Sequence, residues 1–254
     1  MSNYSIEPFL FPNGNLNINT KSIAELLEDR PQIIEPHKLS FFALHLFEKG
    51  EGLHMVDFNK IEVKEKHILF VAQNQINQFF PPVNYGAKIL IFTKEFFCLN
   101  QMHLGFFHNT CLFNDPAILP YFDLGNRYDD VLLLFNLIEA ELKNCDNENQ
   151  HIILNNHLFS LLLICENIFR PDSSNTVDIS PRKILISKFK TFVNSNDLNK
   201  SLSVKQIASY LNVNVRTLEK AFKELEETTP YVWMNNRLIL EIKRLLVYKT
   251  FSFL

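Results

Sequence analysis

Between residues 214 and 224, six side chains are of the types and at the spacing that could read a nucleic acid. Asn214, Arg216, Thr217, Glu219, Lys220 and Lys223 fall between the apolar positions Val215, Leu218 and Phe222, which recur at helical spacing. Arg216 and Lys220 are four residues apart, one helical turn, and so share a face. A guanidinium can pair bidentately with guanine, and a carboxylate such as Glu219 can accept from cytosine. Asn214 and Thr217, near the helix start, are placed for phosphate or base edges. Lys223, further along, suits phosphate.

The segment before them supplies what would hold such a helix in place. Ser203 followed by Gln206 three residues later is a capping box and opens a helix at Val204. That helix turns Ile207, Ala208 and Leu211 inward, with a small residue where a second helix must approach. Asn212 suits the left-handed turn position, and Asn214 can cap the next helix. This is helix-turn-helix spacing, in which the second helix enters the major groove by its N-terminal part. Charge agrees with it. Residues 1–179 carry 12 Lys and Arg against 22 Asp and Glu, whereas residues 180–254 carry 13 against 6. A basic tail on an acidic body points to a polyanionic partner for the tail alone.

The run LSVKQIASYLNVNVRTLEKAFKELEETTPYVWMNNRLILEIKRLLVYK, residues 202–249, resembles the first half of the DNA-binding domain of AraC/XylS-type transcription regulators. The run EPHKLSFFALHLFEKGEGLHMVDFNKIEVKEKHILFVAQNQINQF, with ILIFTKEFF after it, resembles the cupin-type sensor domain of the same family. The resemblance implies double-stranded DNA as partner, a possible small-molecule effector in the N-terminal domain, a homodimer and a cytoplasmic location. It also implies a second helix-turn-helix unit. Here the chain stops four residues after Thr250, so the likeness stops with the first. A competing reading follows: a small-ligand or protein-interaction module whose DNA-binding tail is a non-binding remnant.

The expected architecture is α+β. An N-terminal arm covers 1–36, with one short helix at Ser22–Arg30 stopped by Pro31. A cupin-like β-barrel covers 37–120, built of short strands separated by turn residues. Leu39–Phe47 and Leu53–Phe58 flank Lys49-Gly50-Glu51-Gly52 and read as a hairpin. A helical dimerisation segment covers 121–170, a linker 171–180, and the helix-turn-helix domain 181–254. Val131, Leu134, Phe135, Ile138 and Leu142 form a stripe that could pack on a partner chain, or on the protein's own barrel. In the last helix Ile239, Leu246 and Val247 form a second apolar face and are expected to be partly exposed, with mobile final turns.

Other chemistries find little support. No Ser/His/Asp or Cys/His arrangement, phosphate-cradling loop or nucleotide fingerprint is evident, so neither an enzyme nor a cofactor is indicated. His37, His45, His54 and His67 lie on different runs without a His-x-His pair, and no metal site is expected. Four scattered cysteines (98, 111, 145, 165) fit a reducing compartment. Met1–Pro12 lacks a signal-peptide pattern, and the most apolar stretch, Leu158–Cys165, is too short to span a bilayer.

Overall fold

The computed structural model describes residues 8–9, 16–114, 119–144, 148–170, 181–195 and 202–248. The expected linker at 171–180, residues 1–7 and 10–15 of the N-terminal arm and the residues after Tyr248 lie outside the described residues. In chain order the elements are β1 (Pro8–Phe9), β2 (Ile18–Ser22), α1 (Ile23–Asp29), β3 (His37–Leu39) and β4 (Phe42–Gly50). Then come β5 (Gly52–Val56), β6 (Asn59–Val63), β7 (His67–Val71), β8 (Ile76–Phe79) and β9 (Tyr85–Phe92). Three short helices follow, α2 (Lys94–Phe97), α3 (Gln101–Asn109) and α4 (Cys111–Asn114), and then strand β10 (Tyr121–Asp123). The remainder is helical: α5 (Tyr128–Leu142), α6 (Gln150–Phe169), α7 (Pro181–Ser195), α8 (Val204–Tyr210), α9 (Val215–Leu225) and α10 (Pro230–Tyr248).

The strands form two five-stranded sheets, one in the order β1-β3-β8-β5-β6 and the other β10-β7-β4-β9-β2. All pairings are antiparallel except β1 with β3. The fold is thus mixed α and β, as expected, but the sheets face each other without closing into a barrel. Alternation along β4 explains the arrangement. Phe42, Leu44 and Leu46 pack with helices α5 and α6, while Phe41, Ala43 and Phe47, on and beside the strand, pack between the sheets. Strands β7 and β9 divide in the same way. A sheet buried on both faces reads in sequence as a nearly continuous apolar run.

Two local expectations change. Strands β4 and β5 are not a hairpin: β4 pairs with β7 and β9, and β5 with β6 and β8. Gly50 is instead the corner at which the chain passes between sheets. Its φ is 82°, and an added Cβ would stand 2.3 Å from the Asn84 carbonyl oxygen. The arm is not wholly irregular either, since β2 forms an edge strand against β9. Ser22 caps α1 with a complete capping box, and the helix ends before Pro31.

Helix α6 is long and apolar enough to cross a membrane by length and composition, which the eight-residue run inside it did not suggest. Here it is a core helix: Leu154, Leu158, Leu161, Leu162 and Cys165 are buried against sheet and α5. The stripe on α5 meets the same core. Val131, Phe135 and Ile138 are buried, and Leu134 and Leu142 pack partly against it. A partner chain cannot reach the first three. The α5 face left to solvent carries Leu133 and Leu137.

Candidate nucleic-acid interface

A separate core builds the tail. Leu185, Ile186, Phe189 and Val193 of α7 meet Ile207 and Ala208 of α8, Leu218, Ala221 and Phe222 of α9, and Trp233 of α10. The ring of Phe189 lies 5.1 Å from Phe222 and 6.1 Å from Trp233, both edge-on. Helix α7 therefore forms the floor of the unit, a part the spacing of the two-helix motif does not reveal. Ser203 and Gln206 make the expected capping box on α8. Asn212 takes the left-handed conformation, with φ 55°, in the turn to α9. Leu211 and Val215 cover the core from its margin.

On α9 all of Asn214, Arg216, Thr217, Glu219, Lys220 and Lys223 are exposed. They differ in freedom. The Asn214 side-chain oxygen accepts from the Thr217 amide at 2.7 Å and from the Thr217 hydroxyl at 2.9 Å, so both side chains serve the helix start. Lys220 stands 3.9 Å from Glu224, which also pairs with Arg182. Lys190, buried beneath, pairs with Glu226 at 2.8 Å and lies over the Trp233 ring. The acidic cluster at the end of α9 is thus partly neutralised from within the tail, and the exposed cations lie along its length. The helix start adds its own partial positive charge, which favours an anion there.

Helix α10 ties this unit to the body. Arg244 donates from Nε and Nη2 to the two carboxylate oxygens of Asp57, at 2.7 and 2.8 Å. The pair is enclosed, with side chains 12% and 4% exposed. Asp57 sits in the β5–β6 turn with φ 54°, and also accepts from the Ile76 amide and Gln75. Glu241 bridges Arg244 at 3.0 Å and Lys38 at 3.4 Å. Asp57 and Arg244 are 187 residues apart, and no local signal in the sequence marks them as partners. One face of α10 is little covered. Ile239, Leu246 and Val247 are exposed as expected, and so are Leu238 and Ile242.

Within the body, His37, His45 and His54 converge between the sheets, although the sequence scatters them. Among the described residues no group of three or more His, Cys, Asp or Glu side chains is set to hold a metal ion. His67 stays apart, beside Tyr121.

No protein-family model matches the chain, and no curated protein matches it. Solved structures do. The chain is similar to the AraC-like transcriptional activator CuxR at 15% identity, covering 89% of this chain and 73% of that one, with a TM-score of 0.34. It is similar to an apo form of ToxT from Vibrio cholerae strain SCE256 at 12% identity, over 93% and 81% of the two chains, with a TM-score of 0.39. ToxT from Vibrio cholerae O395 matches at 11% identity over 81% and 74%, with a TM-score of 0.40.

Proposed function

We propose that this protein is a sequence-specific DNA-binding transcription regulator of the AraC type. Helix α9, with its cap at residues 214–224, lies in the major groove, and the N-terminal body senses an effector, forms a homodimer, or does both. The observation that carries this reading is the two-sidedness of α9. Leu218, Ala221 and Phe222 are buried, while Arg216, Lys220 and Lys223 are exposed on a helix with a capped, free start.

Arg216 and Lys220 face the base edges, and Lys223 meets phosphate. Asn214 and Thr217 act chiefly by fixing the helix start, and Glu219 lies among the cations as an acceptor for cytosine. Symmetric half-sites call for a dimer. The exposed Leu133 and Leu137 of α5 form its contact, with Leu134 and Leu142 at the margin.

The test is a gel shift on promoter fragments at several salt concentrations. Affinity should fall steeply with salt, because bound phosphates release counterions. Arg216→Ala should relax base preference, whereas Lys223→Ala should weaken all sequences about equally. Equal losses from both would sink the base-reading assignment. Absence of any shift would favour the competing reading, a ligand-binding body with a remnant tail.

A further inference from the structure

Between the sheets, His54 of β5, Asn77 of β8 and His37 of β3 form a buried chain of hydrogen bonds. Nε2 of His54 donates to Oδ1 of Asn77 at 2.7 Å, so Nδ1 of that ring accepts and faces the Tyr85 hydroxyl of β9 at 3.4 Å. The Asn77 amide donates to Nε2 of His37 at 3.4 Å, and Nδ1 of His37 donates to the Glu35 carbonyl at 2.9 Å. Both rings are neutral in this arrangement, and each proton has one place. His45 of β4 stands beside them, its ring 5.0 Å from that of His54. The charged side chains that reach the same space are Lys21 of β2 with Asp29 and Arg30 at the end of α1, and Lys21 pairs with Asp29.

The chain is wired to the tail. His37 and Asn77 are cross-strand partners, and the next pair in that register is Lys38 with Ile76. This second pair holds α10. Lys38 bonds Glu241 at 3.4 Å, and the Ile76 amide donates at 3.1 Å to Asp57, the carboxylate that receives Arg244. The histidines and the anchorage of α10 thus occupy adjacent rungs of one short ladder between β3 and β8. A protonated His37 would carry N–H on both ring nitrogens, and its Nε2 would then meet the Asn77 amide donor against donor. Turning Asn77 over mends that contact only by taking its oxygen away from His54.

We propose that His37, Asn77 and His54 form a proton-responsive switch: one proton taken from solvent by His37 breaks the chain at Asn77, loosens β3 from β8 and releases α10 from the body. Burial holds the His37 ring below the ordinary imidazole range, so the ring takes a proton more readily once it leaves the interior. The folded, docked state therefore binds fewer protons than the released one. Acid favours release, and neutral pH favours docking. Complete burial lowers His54 further, to about 4, so the first proton goes to His37. Once one ring is charged its neighbours repel a second proton, and the cluster takes up one. The inference rests on reading the body as a sensing unit, and makes the proton what it senses.

Trp233 is the single tryptophan of the chain and, with Phe42 and Phe113, lines a cavity where tail meets body. Acrylamide quenching of its fluorescence in the full chain, from pH 7.5 to pH 5, tests the proposal, with far-UV circular dichroism recorded on the same samples. Quenching should rise as pH falls while ellipticity stays constant. The ratio of released to docked chains should grow by at most about tenfold per pH unit, the limit for one proton. His37→Gln offers Asn77 an acceptor that cannot be protonated, and should keep quenching low throughout. His67→Gln, a change at the ring that stays apart beside Tyr121, should keep the transition. Quenching that ignores pH, that rises equally in His37→Gln, that no longer rises in His67→Gln, or that rises only with loss of ellipticity would overturn the proposal. If His37→Gln does not fold, ¹⁵N spectra of the histidine rings in the unaltered protein decide. A buried ring must gain its proton at the midpoint of the quenching transition, and rings that stay neutral through it would sink the switch. A gel shift at pH 7.5 separates the two readings: a chain that binds DNA without the transition loses only its switch, and one that shows the transition but shifts no DNA loses only its role as regulator.

Discussion

Asn214 has one carboxamide oxygen, and it is committed to the start of its own helix. Asn214→Ala should therefore cost about 1 kcal/mol of tail stability, the usual worth of an N-cap, and Asn214→Ser should recover most of it. Chemical denaturation of the three proteins checks this. If the alanine and serine variants are equally stable, the cap contributes nothing. The buried histidines lead to a pH prediction. His54 titrates near 4 when folded but near its ordinary 6.5 when unfolded, so between those values the unfolded chain holds more protons. Stability is complete above about pH 6.5 and falls as pH drops toward 4, by on the order of 3 kcal/mol from this residue. His45 acts in the same direction. Denaturant midpoints at pH 7, 5.5 and 4.5 measure the slope, and a flat profile would show that neither ring is protonated on unfolding.

At the scale of elements, the corner at Gly50 and the outer face of α5 each give a test. Gly50→Ala places a side chain in a left-handed conformation against backbone and should cost more than about 1 kcal/mol, read by thermal melting. Leu133→Glu with Leu137→Glu should leave a soluble, folded monomer in sedimentation, whereas Ile138→Glu should unfold the body, since Ile138 is fully buried. A dimer that survives the double substitution would move the contact elsewhere. These cases also show what was legible in the sequence. The capping box at Ser203 and the turn at Asn212 are local chemistry, and they stand where the residues put them. The pairing of β4 was not legible, because Gly50 marks a turn without saying whether the chain returns to the same sheet. Which way the α5 stripe faces was open for the same reason: an apolar face does not name what covers it. His45 and His54 are nine residues apart on strands of different sheets, and only the packing of those sheets joins them.

For the whole molecule, the junction at Asp57 and Arg244 decides whether tail and body move together. Removing one partner of an enclosed ion pair typically costs about 3–5 kcal/mol, and less where, as here, Glu241 still faces Arg244. Asp57→Asn should thus release α10 from the sheet. Hydrogen exchange should rise across 236–247 while amides near Ile207 and Leu218 stay protected, and adding Arg244→Gln should recover part of the loss. Unchanged exchange in Asp57→Asn would mean that the pair does not hold the helix. The same helix buries Trp233 in the tail core, eleven residues before Arg244. It is a rigid lever with one end in each half of the protein, about 16 Å between its two anchorages. Tilting such a lever by about 10° at the sheet carries the far end through roughly 3 Å, close to the ~3.4 Å that separates neighbouring base pairs along a duplex. If α9 reads DNA as proposed, a displacement of that size at the far end of α10 would be large enough to shift the register in which α9 meets the duplex.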